Sequence, residues 1–276
     1  MYTTIKAYSK ESWSNFEKQV NTEGSVQGRT AIIHNIVNYK GLRITFYNNL
    51  TIMIEGFLND SIDKELETLM DNVLYVGSDE VGVGENIGPI VVCVLSFENL
   101  DNKFKALKLS IKDSKKMSAK SVTATAKKIK EISNVQCRVF TPVEFNDMYK
   151  KMPNVKKINA MIQKQLHDKF GYSKESPHIS DGFVSQKNFD NYLTSVGMVN
   201  EGIILEPGGE DKYIEVAAAA IVAKDLYNSW IIDYCSKNNM FLQIKEKLQL
   251  AKLWEDIKSG SVVVPDRNSF VKDWKK

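Results

Sequence analysis

The chain has 276 residues, long enough for one and a half to two domains, and its 43% hydrophobic and 26% charged residues are those of an ordinary globular protein. No apolar run approaches the ~20 residues of a membrane span, and residues 1–10 lack the apolar core of a secretory signal, so a cytoplasmic protein is expected. The net charge of +3 hides an asymmetry: residues 101–170 hold 17 Lys or Arg against 6 Asp or Glu, a local +11, which leaves −8 on the rest. That basic block is either a solvated helical face or the footprint of a polyanion, with acidic residues elsewhere free to build a carboxylate site.

Residues 2–8 read as a strand and 11–20 as a helix. Strands follow over 31–37, 41–47 and 51–57, with Asn48-Asn49 as a tight turn between the last two. Residues 60–67 are acidic with apolar Ile62, Leu66, Leu69 and Met70 near helical spacing, capped from Asn59-Asp60-Ser61. The domain boundary falls here: 1–58 as a small α+β domain, 59–72 as a linker helix, 73–276 as the main domain. A buried strand opens the main domain at 73–76, and a second runs over 89–97. Ser118 caps a helix that turns Val122, Ala126, Ile129 and Ile132 inward. A strand at 135–140 precedes helices opened by Pro142 and Asn154. Residues 178–180 and 202–205 are strand-like. A long helix over 211–236 carries a small-residue patch at Ala217–Ala220, and a last helix covers 241–258. The order predicts an α/β protein with a mixed sheet flanked by helices.

Acidic residues gather at informative places. Asp79 and Glu80 follow an apolar strand, where neighbours point to opposite faces, and like charges that close repel unless a cation neutralises them. A merely solvated turn would also hold two acids. Gly82, Gly84 and Gly88 favour the ligand reading, because such a turn lets backbone approach a sugar-phosphate chain and exposes amides that can tell a 2′-hydroxyl from hydrogen. Ser114, Lys115 and Lys116 precede the capped helix and suit a phosphate. Asp181 ends another apolar stretch beside Gly182, and Glu210 stands just before the alanine-rich helix, with Glu206, Asp211 and Glu215 nearby. Only His34, His167 and His178 are present, and Cys93, Cys137 and Cys235 are far apart, two of them in apolar runs that read as holding buried thiols. A bound metal must then be held by carboxylates, which points to a hard ion.

Together these pieces resemble the type 2 ribonucleases H, and ribonuclease HIII in particular. The match lies in Gly-Ser-Asp-Glu-Val-Gly-x-Gly running on to Gly-Pro (77–89), Asp-Ser-Lys-Lys-Met (113–117), the stretch from Tyr149 to His167 with its Leu-His end, and an acid before an alanine-rich helix (210–224). The resemblance implies a ribonuclease H-like mixed sheet, preceded by a domain like the TATA-box-binding protein that helps hold substrate. It implies an endonuclease that cuts the RNA strand of RNA–DNA hybrids to 5′-phosphate products. Asp79, Glu80, Asp181 and Glu210 would be the catalytic and metal-binding acids, and Mg2+ (or Mn2+), two ions per site, the cofactor. Gly82, Val83, Gly84, Ser114, Lys115 and Lys116 would bind the hybrid duplex. A monomer is expected. Gly208-Gly209 stands where the family usually has Lys-Ala, and the chain after Ser236 does not match. A hybrid-binding protein that no longer cuts is the alternative these departures suggest. A second is type II-like cleavage at single ribonucleotides in DNA, which Val83 disfavours because the type II fingerprint has Arg there.

Overall fold

Alternating apolar positions build the first sheet. In the computed structural model, which describes residues 2–21, 25–26, 30–56, 58, 60–109, 111, 117–242 and 249–274, it comprises β1 (Tyr2–Lys6), β2 (Ser25–Val26), β3 (Ile33–Tyr39), β4 (Leu42–Tyr47) and β5 (Thr51–Glu55). All its pairings are antiparallel, in the order β1-β5-β4-β3-β2. Helix α1 (Lys10–Val20) starts on a capping box in which Ser9 and Ser12 satisfy each other's backbone N–H. It buries Trp13, Phe16 and Val20 against the sheet, with the Trp13 and Phe46 rings edge to face at 5.4 Å. A 3-10 turn (Asp60–Ile62) and α2 (Asp63–Glu67) follow, burying Ile62 and Leu66. Ile62, the residue before α2, makes no side-chain cap, and Asn59 of the expected cap lies outside the described residues.

The second sheet is mixed, in the order β10-β9-β6-β7-β8. Strands β6 (Val76–Val81), β7 (Ile90–Phe97) and β8 (Ser133–Phe140) pair antiparallel, whereas β9 (His178–Asp181) lies parallel to both β6 and β10 (Ile203–Glu206). Strand β7 is buried on both faces, so it is apolar at every position but Ser96. Val91, Cys93, Leu95 and Phe97 join the core with α4 (Ala119–Ile132) and α9 (Ile214–Lys237). Ile90, Val92 and Val94 face α5 (Pro142–Lys151) and α6 (Val155–His167). Helix α9 crosses β6 closely: a Cβ on Gly77 would come within 2.5 Å of the Glu215 and Val216 backbone. One continuous apolar cluster runs from Ile44 and Phe46 through Leu66 and Leu107 to Ala218 and Val222, joining the two sheets. Among the described residues, no helix is long and apolar enough to cross a membrane.

Several expectations change. The strand read at 73–76 begins only at Val76, so Asp79 and Glu80 lie within β6 rather than after it. Helices α3 (Leu100–Lys108) and α7 (Gln186–Thr194) were not anticipated. The helix expected over 211–236 is two, α8 (Gly209–Lys212) and α9, because Tyr213 turns extended (φ −108°, ψ 124°). The last helix, α10, spans Leu250–Lys258, and residues 243–248 of the expected segment lie outside the described residues. Cys93 and Cys137 are not thiols: they face each other across β7 and β8 and form a disulfide, and Cys235 is a free, buried thiol.

Candidate active site

Strand pleating divides the acids. Val76, Ser78 and Glu80 point toward α6, and Gly77 and Asp79 toward α9. Strand β9 runs parallel to β6, with Ser78 beside Ser180, so Asp181 ends on the same face as Asp79. The one-turn helix α8 then carries Glu210 to that corner. Burial and the charges of Glu80, Asp181 and Glu210 hold the Asp79 carboxyl well above the usual carboxylate range, while the Glu80 N–H, donating to Asp79 Oδ1 at 2.7 Å, opposes them. Burial also raises Glu80 to about 7, with Asp181 adding to it and Asn159 and Gln163 pulling the other way.

Glu80 and Asp181 are each oriented by a neighbour. Gln163 Nε2 donates to Glu80 Oε2 at 2.8 Å. The Gly209 N–H donates to Asp181 Oδ1 at 2.7 Å, so the Gly208-Gly209 departure sits directly at the acid it follows in space. Of the acids near Glu210 in sequence, Glu206 pairs with Lys212, Asp211 lies 3.9 Å from Lys6, and buried Glu215 lies 3.3 Å from Lys103. Glu210 is the acid of these four whose charge reaches Asp79. Among the described residues, Asp79, Glu80 and Asp181 form no ion pair with lysine or arginine, a donor set that fits a hard divalent cation. No three Asp, Glu, His or Cys groups among those residues are drawn together as a ready-made metal cluster. Glu80 turned to Gln163 and Asp181 turned to Gly209 account for that, since uncompensated carboxylates take the nearest donors.

Beneath the acids runs a buried polar chain. Ser78 Oγ lies 2.8 Å from His167 Nε2, His167 Nδ1 lies 2.8 Å from His178 Nδ1, and His178 Nε2 lies 2.7 Å from the Gly171 carbonyl. A carbonyl only accepts, so His178 carries its proton on Nε2. His167 then donates from Nδ1, and Ser78 donates to His167 Nε2. Burial, reinforced by His178 and Lys164, holds His167 well below the ordinary imidazole range. Burial likewise lowers His178.

The glycine-rich turn is held from below. Gly82 takes φ +94° and is buried; a Cβ there would lie 2.2 Å from the Pro89 carbonyl oxygen. Val83 packs on the α5–α6 core, and Gly84 faces open space. Lys272 Nζ donates to the Gly82 and Pro89 carbonyls at 2.7 and 3.3 Å. Ser114, Lys115 and Lys116 lie outside the described residues. Sequence reasoning missed Gln163, Ser78, His178 and Lys272. A signal for part of this existed: Asn159, Gln163 and His167 recur every fourth residue on α6 and are all fully buried, so polar groups occupy an inward helix face.

Comparison with known proteins finds a matching family and structures of the same fold. The family model described as Ribonuclease HII matches residues 76–247. Ribonuclease HIII of Ureaplasma parvum serovar 3 is 30% identical over 241 residues, covering 72% of this chain and 75% of that protein. Ribonuclease HIII of Phytoplasma mali is 28% identical over 243 residues, covering 86% and 80%. Among solved structures, Bst-RNase HIII in complex with Mn2+ superposes with a TM-score of 0.60 at 20% identity, over 88% of this chain and 86% of that one. Aquifex aeolicus RNase H3 gives 0.58 at 18%, over 98% of each.

Proposed function

Because the chain belongs to the ribonuclease HII family, with ribonuclease HIII relatives across both sheets, we propose that it hydrolyses the RNA strand of RNA–DNA hybrids at the Asp79–Glu80–Asp181–Glu210 corner, as a monomer. The observation that carries the reading is that Glu80 beside it, and Asp181 and Glu210 from distant parts of the sequence, all bear electrostatically on the buried Asp79 carboxyl. Divalent ions held there, two per site, would supply Lewis acidity and a water of lowered pKa, the chemistry that hydrolysis to 5′-phosphate and 3′-hydroxyl ends needs. The Mn2+ bound by the Bst-RNase HIII structure supports a divalent ion as cofactor, magnesium or manganese.

The protein's own part is binding and orientation. Asp79 is the central ligand, placed between Glu80 on one face of β6 and Asp181 and Glu210 on the other. Gln163 fixes the Glu80 carboxylate. The turn at Gly82, Val83 and Gly84 meets the ribose strand through its backbone, with Gly84 the outward part. Ser114, Lys115 and Lys116 meet phosphate. The domain of residues 1–58 adds affinity for the duplex without reading bases.

The test is cleavage of an end-labelled hybrid in magnesium, with end-group analysis, beside a DNA duplex holding a single ribonucleotide. Cuts throughout the RNA strand with 5′-phosphates are expected, and Asp79→Asn should remove them. Tight hybrid binding without turnover in either magnesium or manganese would replace hydrolysis by binding alone. Preferred cutting at the lone ribonucleotide would move the protein to type II-like specificity.

A further inference from the structure

We infer that Lys272 is a positioning residue for hybrid recognition: its ammonium group, inserted beneath the glycine-rich turn, ties the two stems of that turn together and so presents the Gly84 backbone to the ribose strand. The inference rests on the hydrolase reading above and assigns a task to the C-terminal tail, which no family motif covers.

Lys272 is 2% exposed, unusual for the residue type most often left in water. Its two acceptors are not arbitrary carbonyls. Gly82 opens the turn and Pro89 closes it, so one side chain bridges both ends. The tail around Lys272 is zipped to the same turn. Gly88 N–H donates to Phe270 O at 2.8 Å, Lys272 N–H donates to Asn86 O at 2.9 Å, and Ile87 bridges Val271. On its other side the tail is held by buried Asn146 of α5. Asn146 Nδ2 donates to Val271 O at 2.9 Å and to Asn268 Oδ1 at 2.8 Å, and its Oδ1 accepts from Asp273 N–H at 2.8 Å.

A methionine would fill this volume without the penalty of burying a charge, so a lysine here serves its hydrogen bonds rather than packing. Burial draws Lys272 down to about 7, and the charge of Glu85, on the exposed side of the turn, pushes back. Besides these tail contacts, among the described residues Tyr227 Oη donates to Ile87 O at 2.9 Å, and Glu85 N–H to Gly82 O at 3.2 Å. Gly84 has no heavy atom near its Cβ position, so that side of the turn is open.

The experiment compares full-length protein with Lys272→Met in steady-state hybrid cleavage, well below either melting temperature. The KM for hybrid should rise about tenfold, as expected for losing hydrogen bonds to a charged donor, with kcat at saturating hybrid within about twofold. A purely structural lysine would lower the melting temperature and leave KM alone; that outcome overturns the inference. Should Lys272→Met fail to fold, Asn146→Ala loosens the same tail from the opposite side and must raise KM in the same manner; an unchanged KM there overturns the inference too. A wild-type protein that cleaves no hybrid defeats the hydrolase reading and this inference with it. Wild-type cleavage with unchanged KM in the variant defeats this inference alone.

Discussion

The two five-stranded sheets solve the same burial problem with different material. In the first, the groups beneath the surface are nearly all apolar, and Asn35 and Thr45 are its buried polar strand residues. In the second, Ser78, His178 and Ser180 lie in the strands, with Asn159, Gln163, His167, Glu215 and Lys272 packed around them. Polar groups cost free energy to bury unless they are hydrogen-bonded. Their concentration in one sheet therefore separates the part of the molecule that is shaped for stability from the part shaped for chemistry.

The sharpest way to break that division is at Asp79. Asp79→Asn should lower cleavage by about a thousandfold or more, since metal-centred charge stabilisation contributes several kcal/mol to such reactions. The same variant should keep its fold, because it removes a carboxylate that burial and three like charges already disfavour. Circular dichroism and single-turnover cleavage measure both halves; an unfolded variant would show that the acid holds the sheet together. The converse variant is Phe46→Ala in the first sheet, which empties space beside Trp13 and Phe16. It should cost about 3–5 kcal/mol in denaturant unfolding while kcat at saturating hybrid stays close to wild type. A fall in kcat matching the fall in stability would mean that the two sheets are not separable in function.

Gln163→Leu probes the boundary between these extremes. Losing the amide that orients Glu80 should reduce kcat about tenfold, with little change in KM. A smaller effect is expected on heating. Asp79 and Glu80 have raised proton affinity in the folded chain, so the native state holds protons the unfolded chain has released. The penalty for burying them therefore grows as pH rises out of the ordinary carboxylate range and is at its full size above the raised values, that is, above about 7 for Glu80. Magnesium should accordingly raise the melting temperature by about 3 °C or more near pH 8 and much less near pH 6, where protons occupy the carboxylates. Equal shifts at both pH values would place the ion elsewhere.

Much of the site was legible because its chemistry is local. The Gly-Ser-Asp-Glu-Val run fixes two acids on opposite faces of one strand by pleating alone, and Asp181 and Glu210 stand at element ends that the apolar pattern marks. What escaped was set by contacts across the chain. Helix α3 falls in the lysine-rich block and was not anticipated; Lys103 is buried there because Asp71 at 2.5 Å and the Val73 carbonyl meet its ammonium. No proline or glycine announces the break at Tyr213. The Cys93–Cys137 bond depends on the register of β7 against β8, the two cysteines standing 44 positions apart. Lys272 gave no sign of burial, since the carbonyls that receive it lie some 190 residues earlier.

The Ser78–His167–His178 series has a consequence at the acid end of the pH scale. Its protons all point the same way, from the serine toward the Gly171 carbonyl, and each ring nitrogen that is not giving is receiving. An added proton would set two N–H groups, or an N–H and an O–H, against each other at a distance meant for one. Acid should therefore unfasten α6 from the sheet at this seam, taking with it the helix that aims Gln163, so that loss of cleavage on acidification has a mechanical cause beside the titration of the carboxylates.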